Sequence, residues 1–183
     1  MEREVKMKIE IREITTENKE VLNLPNEPFL NEGRLIPIFD GENWNYRIEE
    51  FAPEDVTEQC FPPEDYEFDK MEDGFHGLAA YADGKCVGYV LTYVQWNKYL
   101  YLDNLLVLKD YRRYGVGSHL LDGAMELAKK LGMIGVWLIC QDNNIGACKF
   151  YLKNGYTLGG MNLPVYEGTK QEGKADLYLY KRG

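Results

Sequence analysis

The sequence predicts a mixed α/β chain folded as a single domain, an antiparallel meander followed by alternating helices and strands. Three observations predict it. Period-two alternation and short apolar runs, separated by turn clusters, fill the first half of the chain. From Val116 to Leu131 apolar residues recur at three- and four-residue steps, as on one face of an amphipathic helix. Beyond that helix come a continuous apolar strand, a second helix and two further strands. With 183 residues, 45% hydrophobic and 28% charged, the chain can build one well-cored domain and is short for two.

Taken in order, Lys8 to Ile14 alternates and reads as the first strand. Thr15-Thr16-Glu17-Asn18 looks like a helix start, and the short helix after it must end before Pro25. Residues 25–34 are loop-like. Leu35 to Phe39 and Trp44 to Phe51 are extended segments around the turn cluster Asp40-Gly41-Glu42-Asn43, which suits a hairpin. Phe75 to Tyr81 and Lys85 to Val94 are strands joined by Ala82-Asp83-Gly84. A turn at Gln95-Trp96-Asn97-Lys98 leads into the strand YLYLDNLLVL, from Tyr99 to Leu108. After the helix, Ile134 to Cys140 reads as a central strand. Asp142-Asn143-Asn144 then caps a helix that runs to about Asn154 and stops at Gly155. Tyr156 to Met161 and Ala175 to Lys181 close the chain as strands.

Charge narrows the partners. A net charge of −9 argues against nucleic acid, whose phosphates need a basic surface, and permits a cationic ligand. Asp40 to Asp73 carries thirteen acidic residues against only Arg47 and Lys70. Such a stretch suits a solvated face that keeps the chain soluble, or a rim that attracts a polycation. Its aromatics, Trp44, Tyr46, Phe51, Phe61, Tyr66 and Phe68, serve as core anchors or as cation-stacking faces. Cys60, Cys86, Cys140 and Cys148 show no CxxC spacing and only two histidines accompany them, so no metal site is expected. Buried, reduced thiols in a cytoplasmic protein are the expected state. The N-terminus has no signal-peptide pattern and no apolar run is long enough to span a membrane.

The chemistry concentrates where the strand ending at Val107 meets the helix. Arg112-Arg113-Tyr114-Gly115-Val116-Gly117-Ser118 places two glycines and two arginines at a helix start. Unpaired N–H groups, the helix dipole and close access to the main chain suit an anion there. Glycines alone also suit a turn that merely starts a helix. A Rossmann site is disfavoured, because its G-x-G-x-x-G follows the first strand, with an acid about twenty residues on.

Arg112-x-x-Gly115-x-Gly117 resembles the pyrophosphate motif of the GNAT superfamily of acyl-CoA-dependent N-acyltransferases. Asn144-x-x-Ala147-x-x-x-Tyr151 with Asn154-Gly155-Tyr156 resembles that family's second acetyl-CoA segment. The resemblance runs from about Lys8 to Lys181. It implies a GNAT-like fold, with a central, mostly antiparallel sheet of about seven strands flanked by helices. A closer resemblance, to the streptothricin acetyltransferases, rests on Gly41-Glu42-Asn43-Trp44, Trp96-Asn97-Lys98-Tyr99, Gln141-Asp142-Asn143-Asn144 and Ala147-Cys148-Lys149-Phe150-Tyr151. Those enzymes acetylate an amino group on the β-lysine part of the antibiotic. The chain departs from them at Asp103-Asn104, where a Glu-Asp pair is expected, and in the spacing of its acids.

The resemblance implies acetyl-CoA as co-substrate and no metal. Its pyrophosphate would meet Arg113, Tyr114, Gly115, Val116, Gly117 and Ser118, with Arg112 supporting the turn. Its pantetheine would pair with the main chain of Leu105, Leu106 and Val107, where an N–H would also polarise the thioester carbonyl. Asn144 serves the pantetheine arm or simply caps the helix, and Ala147 lies beside it. Tyr151 would protonate, or hydrogen-bond, the departing thiolate; a phenol of pKa ~10 giving its proton to a thiol of pKa ~8.5 is uphill by about 2 kcal/mol. Asp103 is the candidate base, since holding an alkyl amine neutral at pH 7 costs roughly 4.6 kcal/mol. Trp44, Glu49, Trp96, Tyr99 and Asp103 are the candidate acceptor contacts, with the acidic stretch holding remote cations. The competing readings are acetylation of protein N-termini, lysines or polyamines, and a non-catalytic CoA-binding sensor. At the family level, a paired last strand would support a homodimer.

Overall fold

The computed structural model describes residues 7–183. The strands and helices, in chain order, are β1 (Ile9–Glu13), β2 (Phe29–Asn31), β3 (Gly33–Phe39), β4 (Trp44–Glu50), β5 (Thr57–Gln59), β6 (Phe75–Ala82), β7 (Lys85–Val94), β8 (Tyr99–Val107), α1 (Val116–Lys130), β9 (Gly135–Gln141), α2 (Ile145–Lys153), β10 (Thr157–Asn162) and β11 (Asp176–Arg182). They form two compact units. The first takes the chain up to Glu27 together with Pro62–Ile134, and the second takes Pro28–Phe61 with Gly135–Gly183. In the first unit the strand order is β1-β6-β7-β8 and in the second β9-β11-β10, with antiparallel pairing within each. The fold class is thus the mixed α/β one that the sequence predicts.

In the first unit β6, β7 and β8 form the antiparallel meander. Asp83 and Gly84 both take positive φ, at 49° and 85°, as a two-residue hairpin turn of type I′ requires. Helix α1 packs on β1, β6, β7 and β8 and buries Val116, Leu120, Leu121, Ala124, Met125 and Ala128. Gly132, at φ 71°, ends it where the sequence places a terminal glycine. A second cluster of Ile14, Val21, Leu22, Ala79, Tyr89, Leu91 and Leu106 takes Tyr66, Phe68 and Met71 against it. The short helix expected after Asn18 is a 3-10 turn, Lys19–Asn23. Asn18 does not cap it; its side chain accepts from Thr15 N at 2.7 Å and donates to Glu13 O at 3.0 Å.

In the second unit β3 and β4 pair as the expected hairpin, and Asp40 Oδ1 takes the N–H groups of Glu42 and Asn43 at its tip. The loop expected over residues 25–34 is corrected in part, because Phe29–Asn31 forms β2 and pairs with Thr57–Gln59. Three residues carry too little alternation to announce a strand. Here the ladder is closed by the Phe29–Phe61 ring pair at 5.2 Å. Helix α2 lies against β2, β3 and β9, and buries Ile145, Cys148 and Tyr151. The last strand buries Leu177 and Leu179, and Asp176 at its start is buried as well. Asp142 anchors this unit: its carboxylate takes Ala175 N at 3.0 Å and the Arg34 guanidinium at 3.1 Å.

The thiols divide. Cys140 and Cys148 are buried and their sulfurs lie 3.5 Å apart, whereas Cys60 is exposed, against expectation, on a segment outside the core. Hydrogen bonding to Cys148 first, and then burial, holds the Cys140 thiol well above its ordinary pKa, so it stays protonated. That state suits packing rather than nucleophilic chemistry.

Candidate active site

In the first unit the site begins where β8 runs out. Arg112 Nε donates to Val107 O at 3.0 Å, which ties the turn to the end of the strand. A 3-10 turn over Lys109–Tyr111 intervenes, and Arg113 and Gly115 then adopt left-handed φ values of 68° and 85°. Gly115 is the N-cap of α1. It offers no side chain to the helix start, and the first turn carries no acid. The N–H groups at a helix start have no partner within the helix, and nothing here offsets the positive end of the dipole. Gly115 O accepts from His119 N at 3.0 Å, and His119 Nδ1 lies 2.8 Å from the same oxygen. The carbonyl therefore turns into the helix, and the N–H side is left for an anion. Tyr114 is exposed beside it. An alanine at Gly115 would be forced into left-handed backbone, at about 1–2 kcal/mol. Gly115→Ala is accordingly expected to lower Tm and to raise KM for acetyl-CoA, while leaving KM for the amine unchanged; initial-rate kinetics and a melting curve check it.

Leu105, Leu106 and Val107 pair along one edge with Val90, Tyr89 and Gly88. Gly88 admits no side chain, because a Cβ there would strike the Leu106 carbonyl. This close approach fixes the end of β8. Asp103 lies further back, at a register irregularity, where Asn104 pairs with Leu91 and Leu102 with Thr92. The bulge leaves Asp103 out of the pairing, and its side chain reaches solvent.

Asp103 has charged company. Partial desolvation, and then Glu64 and Glu72, raise its carboxyl above the ordinary range. Burial holds the Tyr89 hydroxyl up at about 12, with Glu64 and Asp103 adding to the effect. Tyr93 is raised for the same kinds of reason and donates to Met71 Sδ at 3.4 Å. Tyr66 accepts from Asn104 Nδ2 at 3.0 Å, and burial holds its hydroxyl well above the ordinary phenol value. The charges of Glu64 and Glu72 thus act on Asp103, and that of Asp103 on Tyr66, Tyr89 and Tyr93; the sequence reading named none of these as site residues. The available signal was the acidic stretch itself, which contains Glu64 and Glu72.

Of the aromatics expected as acceptor contacts, Tyr99 opens β8 and Trp96 lies in the turn before it. Tyr99 lies four positions back along β8, about 13 Å at roughly 3.3 Å per residue. Its N–H is bonded by Asn97 Oδ1, and Trp96, in the turn before it, is 95% exposed.

In the second unit Asn144 caps α2, its Oδ1 accepting from Ala147 N at 3.2 Å. The oxygen is used in capping, and the amide nitrogen carries the two remaining donors. Tyr151 sits two turns on, buried, its ring edge-on to Phe150 at 5.4 Å and to Tyr156 at 5.7 Å. Burial first, and then the neighbouring Cys140, Tyr156 and Cys148, hold its hydroxyl well above the ordinary phenol value. Trp44 and Glu49 lie on β4 and have local partners: the Phe39 ring lies tilted against Trp44 at 5.0 Å, and Arg47 pairs with Glu49 at 3.1 Å. Among the described residues, no group of three or more His, Cys, Asp and Glu is placed to hold a metal ion, and no helix is long and apolar enough to cross a membrane.

A profile of the acetyltransferase (GNAT) family matches residues 42–156. The chain belongs to that family. It is an acetyl-CoA-dependent N-acetyltransferase of the streptothricin acetyltransferase type. Streptothricin acetyltransferase A of Bacillus subtilis is 33% identical over 93% of this GNAT chain and 98% of its own length. A streptothricin acetyltransferase of Streptomyces lavendulae is 30% identical over 59% of this chain and 62% of its own. Among solved structures, a Bacillus anthracis protein assigned as a streptothricin acetyltransferase, in complex with acetyl coenzyme A, superposes with a TM-score of 0.83. It is 27% identical, and the match covers 96% of this chain and 100% of that one.

Proposed function

We propose that the acceptor is the β-lysine amino group of streptothricin, so that the chain inactivates a cationic antibiotic. The observation that carries this reading is the 33% identity to streptothricin acetyltransferase A of Bacillus subtilis over 93% of the chain, and it fits the electrostatic setting of Asp103, whose carboxyl is raised by burial and by the charges of Glu64 and Glu72. Such a setting attracts ammonium groups. It also suits a base. A carboxylate whose pKa lies above the ordinary range comes closer to that of an alkyl ammonium, which narrows the uphill proton transfer. Carboxylates beside the reacting nitrogen would hold it protonated, so Glu64 and Glu72 serve a second cation of the same molecule.

In this account Asp103 takes the proton, directly or through a water, and the neutral amine attacks the thioester carbonyl carbon. The C–N bond forms, the C–S bond breaks and coenzyme A leaves as thiolate. The turn from Arg113 to Ser118 binds pyrophosphate, Arg112 braces that turn, and the Leu105–Val107 main chain meets pantetheine, as do Asn144 and Ala147. Tyr151 donates a hydrogen bond to the thiolate. Its raised pKa favours that role over complete proton transfer. The family match spans parts of both units, which supports a single functional domain, and the need for acetyl-CoA suits a cytoplasmic location.

The test is thiol release from acetyl-CoA with streptothricin, spermidine and a lysine peptide side by side. The expected result is the highest kcat/KM with streptothricin. A preference for either of the others moves the acceptor to polyamines or proteins, and no release with any of the three rejects the proposed chemistry.

A further inference from the structure

The turn between β8 and α1 has two residues in left-handed backbone, Arg113 at φ 68° and Gly115 at φ 85°, and no side chain caps the helix that follows. Peptides in such a turn can rotate unless something holds them, above all beside glycine, whose backbone has the widest choice of conformation. Two ties are present. On the strand side Arg112 Nε donates to Val107 O at 3.0 Å. On the helix side Gly115 O meets two groups of one residue, His119 N at 3.0 Å and His119 Nδ1 at 2.8 Å. The imidazole also lies against the glycine: a Cβ built at Gly115 would stand 3.6 Å from Nδ1 and 3.7 Å from Cε1.

A carbonyl oxygen only accepts, so Nδ1 carries the hydrogen of this bond and, in the neutral ring, Nε2 has none. A peptide is planar and trans, so its N–H points opposite to its C=O. Holding Gly115 O toward the helix therefore aims the Val116 N–H out of the helix start. Val116 is 1% exposed, so its side chain is fixed in the core and the peptide before it is the part that needs holding. A Ser or Asp cap would steady the same turn by taking an N–H of the first helical turn for itself. A bond to the carbonyl steadies it and leaves those N–H groups for a ligand. We propose that His119 is a positioning residue of the cofactor turn, its Nδ1–H pinning the Gly115 carbonyl so that the Val116 N–H faces the pyrophosphate of coenzyme A. The ring touches no reacting atom in this assignment. The inference rests on the reading that this turn holds the pyrophosphate.

The experiment compares the parent protein with His119→Asn, whose amide nitrogen stands where Nδ1 does along the side chain, and with His119→Leu, which has no donor. CoA affinity is measured by calorimetry, KM by initial rates, Tm by a melting curve, and the amide shifts of Val116 and Gly117 by NMR with CoA and with pantetheine. His119→Leu is expected to raise Kd for CoA and KM for acetyl-CoA about fivefold, the scale of one lost hydrogen bond, with kcat and the amine KM unchanged. His119→Asn is expected to restore most of that loss. Nitrogen-15 spectra of the neutral ring should show the hydrogen on Nδ1. In the parent, CoA should shift the two amides and pantetheine should not. The role of His119 is overturned if His119→Leu binds CoA as tightly as the parent, even with a lower Tm, if His119→Asn binds as weakly as His119→Leu, or if the ring hydrogen is on Nε2. If CoA leaves the two amides of the parent unmoved, the assignment of the turn to pyrophosphate falls, and this role with it. None of the binding measurements depends on which amine the protein acetylates.

Discussion

Tyr151→Phe is expected to lower kcat by about a hundredfold, with KM for acetyl-CoA within twofold of the parent, since removing one donor to a developing anion typically costs about 2.7–4 kcal/mol. The ring is enclosed by Phe150 and Tyr156, so phenylalanine fits the same space and the loss is confined to the hydroxyl. Burial holds the phenol protonated across the whole working pH range. Tyr151 should therefore contribute no basic limb to the pH profile. A hydroxyl that donates without titrating stabilises the thiolate as it forms, and the proton that finally reaches sulfur can come from solvent. Rapid-quench kinetics on the Phe variant checks this. An unchanged single-turnover rate removes Tyr151 from the mechanism.

Asp103→Asn is expected to lower kcat/KM for the amine by about 10²–10⁴-fold, the range of a lost general base. The raised carboxyl also dictates the sign of two pH effects. In the parent, activity should fall as pH drops through a pKa above the ordinary carboxylate value, and this acidic limb should disappear in the Asn variant. Stability should move the other way. The fold binds the Asp103 proton more tightly than the unfolded chain does, so ionising this group works against folding as pH rises through that window. Asp103→Asn should thus raise Tm at neutral pH and leave it unchanged well below the carboxylate range. A variant that is slower and more stable is the outcome to look for, by kinetics and calorimetry on one preparation. Loss of stability along with activity would mean that Asp103 is a structural residue.

The turn proposed to hold the pyrophosphate is legible because it is local. Arg112, Gly115 and Gly117 lie within one turn, and the strand before them and the helix after them announce themselves by period. The proposed amine side is not local. Glu64 and Glu72 lie in irregular chain, and the contact that secures Tyr66 comes from Asn104, 38 positions away. No pattern within a window of sequence predicts that pairing. Trp96 and Tyr99 drew attention through the motif Trp96-Asn97-Lys98-Tyr99, and the extended strand sets Tyr99 four positions from Asp103. The short β2–β5 ladder escaped notice because three residues are too few to display alternation.

The most direct test of the account is to locate the acetyl group. Incubated with acetyl-CoA and streptothricin, the protein should release coenzyme A thiol in equal amount to a product heavier by one acetyl group. Fragmentation of that product by tandem mass spectrometry should place the acetyl on the β-lysine amino group. Thiol release without acetylated antibiotic, or an acetyl group on any other part of the molecule, would contradict it.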